Sequence, residues 1–220
     1  MRKFLIFILI IGIPLFTSSQ PLNSVKGYNY LSSNDAKYLS GEAKESLSKF
    51  SLSFNPLGFV QFGPIINAEY AVSNHFMLNL HTRITPLGVL AYVVREDDGI
   101  PDKLSGLGWG GGAFYFFGEK RNRPYFGFLL EYEKTDALYS EGEDYEWSEI
   151  DKSVVFLFNG GYRFNFNKVY INTGAFLGAV TTQWVWRYTD FSYESGDDAY
   201  GEGTSLNPLG MLEVTFGLKF

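Results

Sequence analysis

The C-terminal stretch Met211-Leu-Glu-Val-Thr-Phe-Gly-Leu-Lys-Phe220 decides the fold. Leu212, Val214, Phe216, Leu218 and Phe220 fall on one side of an extended chain. Met211, Glu213, Thr215, Gly217 and Lys219 fall on the other. A period of two, apolar against small or polar, is that of a strand with different surroundings on its two faces. The pattern recurs upstream. Phe126, Phe128, Leu130 and Tyr132 oppose Gly127, Leu129, Glu131 and Glu133. Val154, Phe156, Phe158, Tyr162 and Phe164 oppose Ser153, Asn159, Gly161 and Arg163, and Phe76, Leu78, Leu80, Thr82 and Ile84 oppose Asn79, His81 and Arg83. Ile66, Ala68, Tyr70 and Val72 likewise oppose Asn67 and Glu69.

Turns divide the alternating region. Short ones fall at Ser73–His75, Gly118–Pro124 and Asn165–Lys168, and a tight one at Asn55-Pro56-Leu57-Gly58. Longer acidic connections lie near 96–103, 140–151 and 189–204. Eight antiparallel strands follow, over 48–55, 59–72, 76–95, 104–118, 124–139, 150–164, 169–188 and 206–220. The third and seventh exceed the 9–11 residues or so that a spanning strand needs, so their outer halves are expected to project as sheet. Pro-Leu-Gly occurs at 56–58, 86–88 and 208–210 and is expected at the outer rim, because Pro cannot donate to a strand ladder. A bulge is expected at Pro64.

Composition agrees with a two-faced sheet. The chain has 220 residues, with 21 Phe, 15 Tyr and 4 Trp, yet its mean hydropathy is only −0.06. So aromatic a chain is not disordered. No apolar run reaches the 18 or so residues of a membrane helix. The absence of Cys excludes disulfides, thiolate metal sites and a Cys nucleophile. Met1-Arg-Lys, the apolar run Phe4–Phe16 and Thr17-Ser-Ser19 read as a signal peptide over residues 1–19. Loss of Arg2 and Lys3 takes the net charge from −6 to −8, which argues against nucleic acid as a partner. Residues 20–47 read as a polar periplasmic segment, and 48–220 as the barrel.

The faces are lopsided. Large apolar side chains line one, and small or charged ones the other, which suits a lipid-facing barrel with a narrow polar lumen better than a soluble binding barrel. The expected fold is therefore all-β, an eight-stranded antiparallel up-and-down transmembrane β-barrel. With its leader, strand count and terminal Phe220, the chain resembles the small OmpA/OmpX-type outer-membrane barrels. The resemblance implies an outer membrane of a diderm bacterium, contact with membrane lipid and lipopolysaccharide, and recognition by the barrel-insertion machinery through Phe220.

Glu69, His81, Arg83, Glu131, Glu133, Arg163, Glu213 and Lys219 form the expected lumen network. Arg83 is expected to pair with Glu131, Glu133 and Glu213, with Arg163, Lys219 and Glu69 lower down. A plug that closes the pore is favoured over an ion or small-solute path. His75 falls in a short turn, and no Ser adjoins either His, so neither a catalytic residue nor a cofactor is expected. The three acidic stretches hold 15 of the 24 acidic residues and one Lys, Lys103. They lack calcium-loop spacing, so only weak divalent-cation bridging or docking of a surface partner is expected of them.

Overall fold

The computed structural model describes residues 44–93, 100–140, 145–190 and 198–220. The expected signal peptide, residues 20–43 of the polar segment and the acidic stretches 96–99, 141–144 and 191–197 lie outside the described residues. The chain forms eight antiparallel strands, each paired with the next: β1 (Phe50–Asn55), β2 (Ile65–Ala71), β3 (Phe76–Ile84), β4 (Lys103–Phe116), β5 (Arg123–Tyr139), β6 (Tyr145–Phe166), β7 (Val169–Asp190) and β8 (Asp198–Lys219). Pairing of β1 with β8, Ser51 opposite Lys219 through Phe54 opposite Phe216, closes the sheet into a ring.

The ring is bevelled. β1, β2 and β3 have 6, 7 and 9 residues, whereas β6, β7 and β8 have 22 each. Two expected strands are cut short at the low wall. Pro56–Phe59 is a 3-10 turn, not the start of a strand at 59, because Pro56 presets the turn and the Asn55 side chain accepts from the Leu57 amide at 3.0 Å. Gly63 then takes φ +114°, and Pro64 comes just before β2, so no bulge forms. The expected third strand ends at Ile84. Pro86 starts a second 3-10 turn, Thr85–Leu87, and α1 (Val89–Val93) follows, so of the two strands expected to project only the seventh does. Ala91 of α1 packs with Leu104, Ala137 and Tyr139. At the high wall the strands are longer than expected: residues 145–149 and 198–205, outside the expected strands, extend β6 and β8.

Two of the Pro-Leu-Gly triplets make those 3-10 turns, but the third lies inside β8 with Pro208 opposite Ala179. The bond pattern explains how β8 tolerates it. The Lys219 amide donates to Lys168 on the β7 side, whereas the Phe220 amide donates to Phe50 on the β1 side. Even-numbered residues of β8 therefore point their amides away from β7. β1 has ended by the level of Pro208, so a proline there removes no ladder bond. Lower down, the Gln61 side-chain amide replaces the missing rung. It donates to the Leu212 carbonyl at 3.2 Å and accepts from the Leu212 amide at 3.1 Å.

Side-chain alternation is as the sequence suggests. Leu80, Trp109 and Leu130 point outward with 70, 62 and 52% of their surface exposed, whereas Arg83, Glu131 and Arg163 point inward at 2%. The outer coat is apolar and the interior holds the charges. A hydrophobic cluster that includes Met77, Phe116, Leu129, Leu157 and Phe176 packs among those charges. Among the described residues no helix is long and apolar enough to cross a membrane, a finding silent on strands.

Candidate functional site in the ring interior

All eight residues of the expected network lie on inward-facing strand positions, but they sort into separate layers. At the short-turn end Lys219 reaches Glu45 at 2.6 Å, and Arg121 reaches the same carboxylate at 3.2 Å. Arg123 donates to the Glu45 carbonyl at 2.8 Å. Residues 44–48 thus form a strap across this opening, tied also by the bridge between Lys44 and Lys120 and by the Lys44–Glu119 ion pair. Glu45 had no alternation to reveal it, because it precedes the first strand.

Above the strap, Arg163 donates to both oxygens of Glu69, at 3.1 and 2.9 Å. The guanidinium also lies 3.9 Å from the Tyr170 ring centre and 4.6 Å from that of Phe116. Ser51 and Tyr170 donate to the same carboxylate at 3.0 and 2.8 Å, and Asn172 accepts from Arg163 at 2.8 Å. A buried pair is favourable only when its remaining lone pairs and protons are met, as they are here.

The next layers correct the expectation for Arg83. It pairs with Glu131, Nε to Oε1 at 2.9 Å, and turns a terminal nitrogen to the Met211 sulfur at 3.3 Å. Glu213 is held instead by neutral donors: the Tyr125 hydroxyl, Asn159 at 2.8 Å, Asn172 at 3.3 Å and Thr215 at 3.0 Å. Glu133 accepts from the Thr85 hydroxyl. Distance along a strand does not by itself give a level in the ring, because a closed sheet is sheared. In register, Glu213 shares a row with Gly174, Gly161 and Tyr125, whereas Arg83 shares one with Gly108 and Glu133. Arg83 nevertheless turns to Glu131.

His81 links the upper layer to a chain of amides. Its Nε2 meets Glu131 at 2.9 Å and its Nδ1 meets the Asn79 side-chain oxygen at 3.2 Å. Asn79 donates to Asn67 at 3.1 Å, and Asn67 to Ser53 at 3.2 Å. Both imidazole nitrogens face oxygen, so an imidazolium would donate on both sides. Tyr125, Tyr170, Asn79 and Asn172 lay outside the expected network. Asn79 shares the face of His81 and Arg83 and Tyr125 that of Glu131, whereas Asn172 is placed by standing opposite Arg163 across the β6–β7 pair.

The layer between Glu69 and Glu213 is nearly filled. One void of about 10 Å³, bordered by Asn67, Glu69, Asn79, Asn172 and Glu213, has room for about one water. Among the described residues no group of three His, Asp or Glu side chains is set to hold a metal. His75, in the turn before β3, stacks on Tyr115 and meets the Phe116 carbonyl at 3.0 Å, far from His81 in the pairing. No protein-family model, curated protein or solved structure matches the chain.

Proposed function

We propose that the chain is an outer-membrane β-barrel with a closed interior, serving as a structural and surface-interaction protein whose tall acidic wall stands clear of the bilayer. The observation that carries this reading is the outward belt. On β6 the outward positions from Val154 to Phe164 are ten residues apart and bear Val, Phe, Phe, Gly, Tyr and Phe. Ten steps span about 34 Å of strand, or about 26 Å along the axis at a tilt near 40°, which matches the height of a lipid-facing band. Above it β6, β7 and β8 continue with Glu146, Glu149, Asp151, Asp190 and Glu202. A surface partner of basic character, or divalent cations bridging to lipopolysaccharide, suits that wall.

The interior supports a plug in preference to a conduit. Arg163, Glu69, Arg83 and Glu131 are buried and mutually paired, and the strap lies across the lower opening. The test is reconstitution. The unboiled protein should migrate faster than the boiled protein on a gel and give no stepwise conductance in planar bilayers. Identical mobilities would overturn the barrel, and resolved single-channel steps would overturn the plug.

A further inference from the structure

We propose that Lys134, Lys152 and Gln183 form a site for the phosphate of a lipid headgroup on the outer surface of the ring. This rests on the membrane reading above. Lys134 stands directly opposite Lys152, and Lys152 directly opposite Gln183, so the three share one row across β5, β6 and β7. They have the outward parity of Leu130, Phe156 and Leu177, and all three are exposed. Three adjacent strands span about 10 Å, within reach of one phosphate for side chains of this length.

Across β5, β6 and β7 the row presents two ammonium groups and the Gln183 side-chain amide N–H to solvent. Like charges directly opposite on neighbouring strands are unfavourable unless something lies between them. Lys134 leans to Asp136, two positions above it, at 2.9 and 3.0 Å. Lys152 has no ion-pair partner among the described residues. Asp136 thus pairs with Lys134, and the Lys152 ammonium is left for an anion.

The row beneath identifies the anion's carrier. It runs Trp109, Tyr132, Val154, Thr181, with the Trp109 and Tyr132 rings 6.1 Å apart. Below that come Leu130 with Phe156, then Phe128 with Phe158. Indole and phenol rings at the top of an apolar belt mark the depth of the headgroups. The donors therefore sit where a lipid's phosphate lies while its chains run down the Phe and Leu columns. The long lysine stems can follow the apolar surface and keep their charges at that depth.

The full chain, extracted in detergent, would be titrated with lipid A, with phosphatidylcholine and with inorganic phosphate, and bound lipid read by native mass spectrometry. Each of Lys134→Gln and Lys152→Gln should weaken lipid A retention about fivefold, and the pair together about 25-fold. Phosphatidylcholine retention should not change, and inorganic phosphate in molar excess should not displace lipid A. Unchanged lipid A retention in the double variant would overturn the site. Ready displacement by inorganic phosphate would overturn the lipid assignment. Heat-dependent gel mobility, run on each sample, separates failure of the site from failure of the barrel: its absence in the wild type overturns both.

Discussion

The Tyr125 hydroxyl donates to Glu213 along a row in which Gly161 and Gly174 are the residues between them. A Cβ at Gly161 would fall 2.6 Å from that hydroxyl and 2.5 Å from the Thr173 carbonyl. The glycines clear the path for a phenol to cross the ring and reach a carboxylate that pairs with no cation among the described residues.

Tyr125→Phe should therefore destabilise the folded protein by about 1–3 kcal/mol, the cost of removing a donor from a buried acceptor. Gly161→Ala should act in the same direction. Because both break one contact, the double variant should lose less than the sum of the two. Urea midpoints of the reconstituted protein measure all three. Strict additivity would mean that Tyr125 and Gly161 do not act through one contact.

Glu69→Ala leaves Arg163 buried with its counter-charge gone. The expected cost is about 3–5 kcal/mol, whereas replacing both members by apolar residues, Glu69→Leu with Arg163→Met, should restore much of it. Ser51 and Tyr170 would still lose their acceptor, so recovery should be partial. A double variant no more stable than Glu69→Ala would show that the charges themselves are not what the single substitution exposes.

Gln61→Leu removes the side-chain rung from the β8 edge. Hydrogen exchange should quicken at the Leu212 amide and stay unchanged at Met211, whose amide faces β7. Equal protection at Leu212 in both proteins would place its bond elsewhere.

The strap has a pH dependence with a definite sign. Lys44 lowers the Glu119 carboxyl below the usual carboxylate range, chiefly by donating a hydrogen bond to it and secondarily by charge, and the Lys44 ammonium is raised by the same contact. The depressed acid contributes above the ordinary Glu pKa of about 4.3, and its part is lost as pH falls through the lower folded value. The raised Lys contributes fully below about 10.4, and its part is lost as pH rises through the higher folded value. Both groups are fully exposed, so the effect is small. A spin label at Ser46 should be most immobile between those limits and loosen outside them, and Lys44→Ala should flatten the profile.

Much of the ring was legible because single residues revealed faces. Phe126 to Glu133, with Leu129 the one break, and Leu212 to Lys219 alternate, and both lie in strands as expected. The failures came where chance alternation continued past a turn. Val89, Ala91 and Val93 alternate, yet they follow Pro86 and form a helix, because a proline-started 3-10 turn had already ended the strand. The interior was half legible. Parity put Glu213 and Arg83 inside, but register decides who meets whom, and shear set Glu213 beside Tyr125. Nothing in the alternation marked Glu45, whose role depends on where its strap crosses the ring.

In the proposed membrane barrel, even-numbered positions of β6 face lipid and odd-numbered ones face a packed interior. The chain has no native Cys, so single cysteines can be placed and labelled at 154, 155, 156, 157 and 158 without background. In vesicles containing brominated lipid, fluorophores at 154, 156 and 158 should be strongly quenched and those at 155 and 157 little affected. Uniform quenching along the stretch, or quenching by an aqueous ion at the even positions, would contradict it.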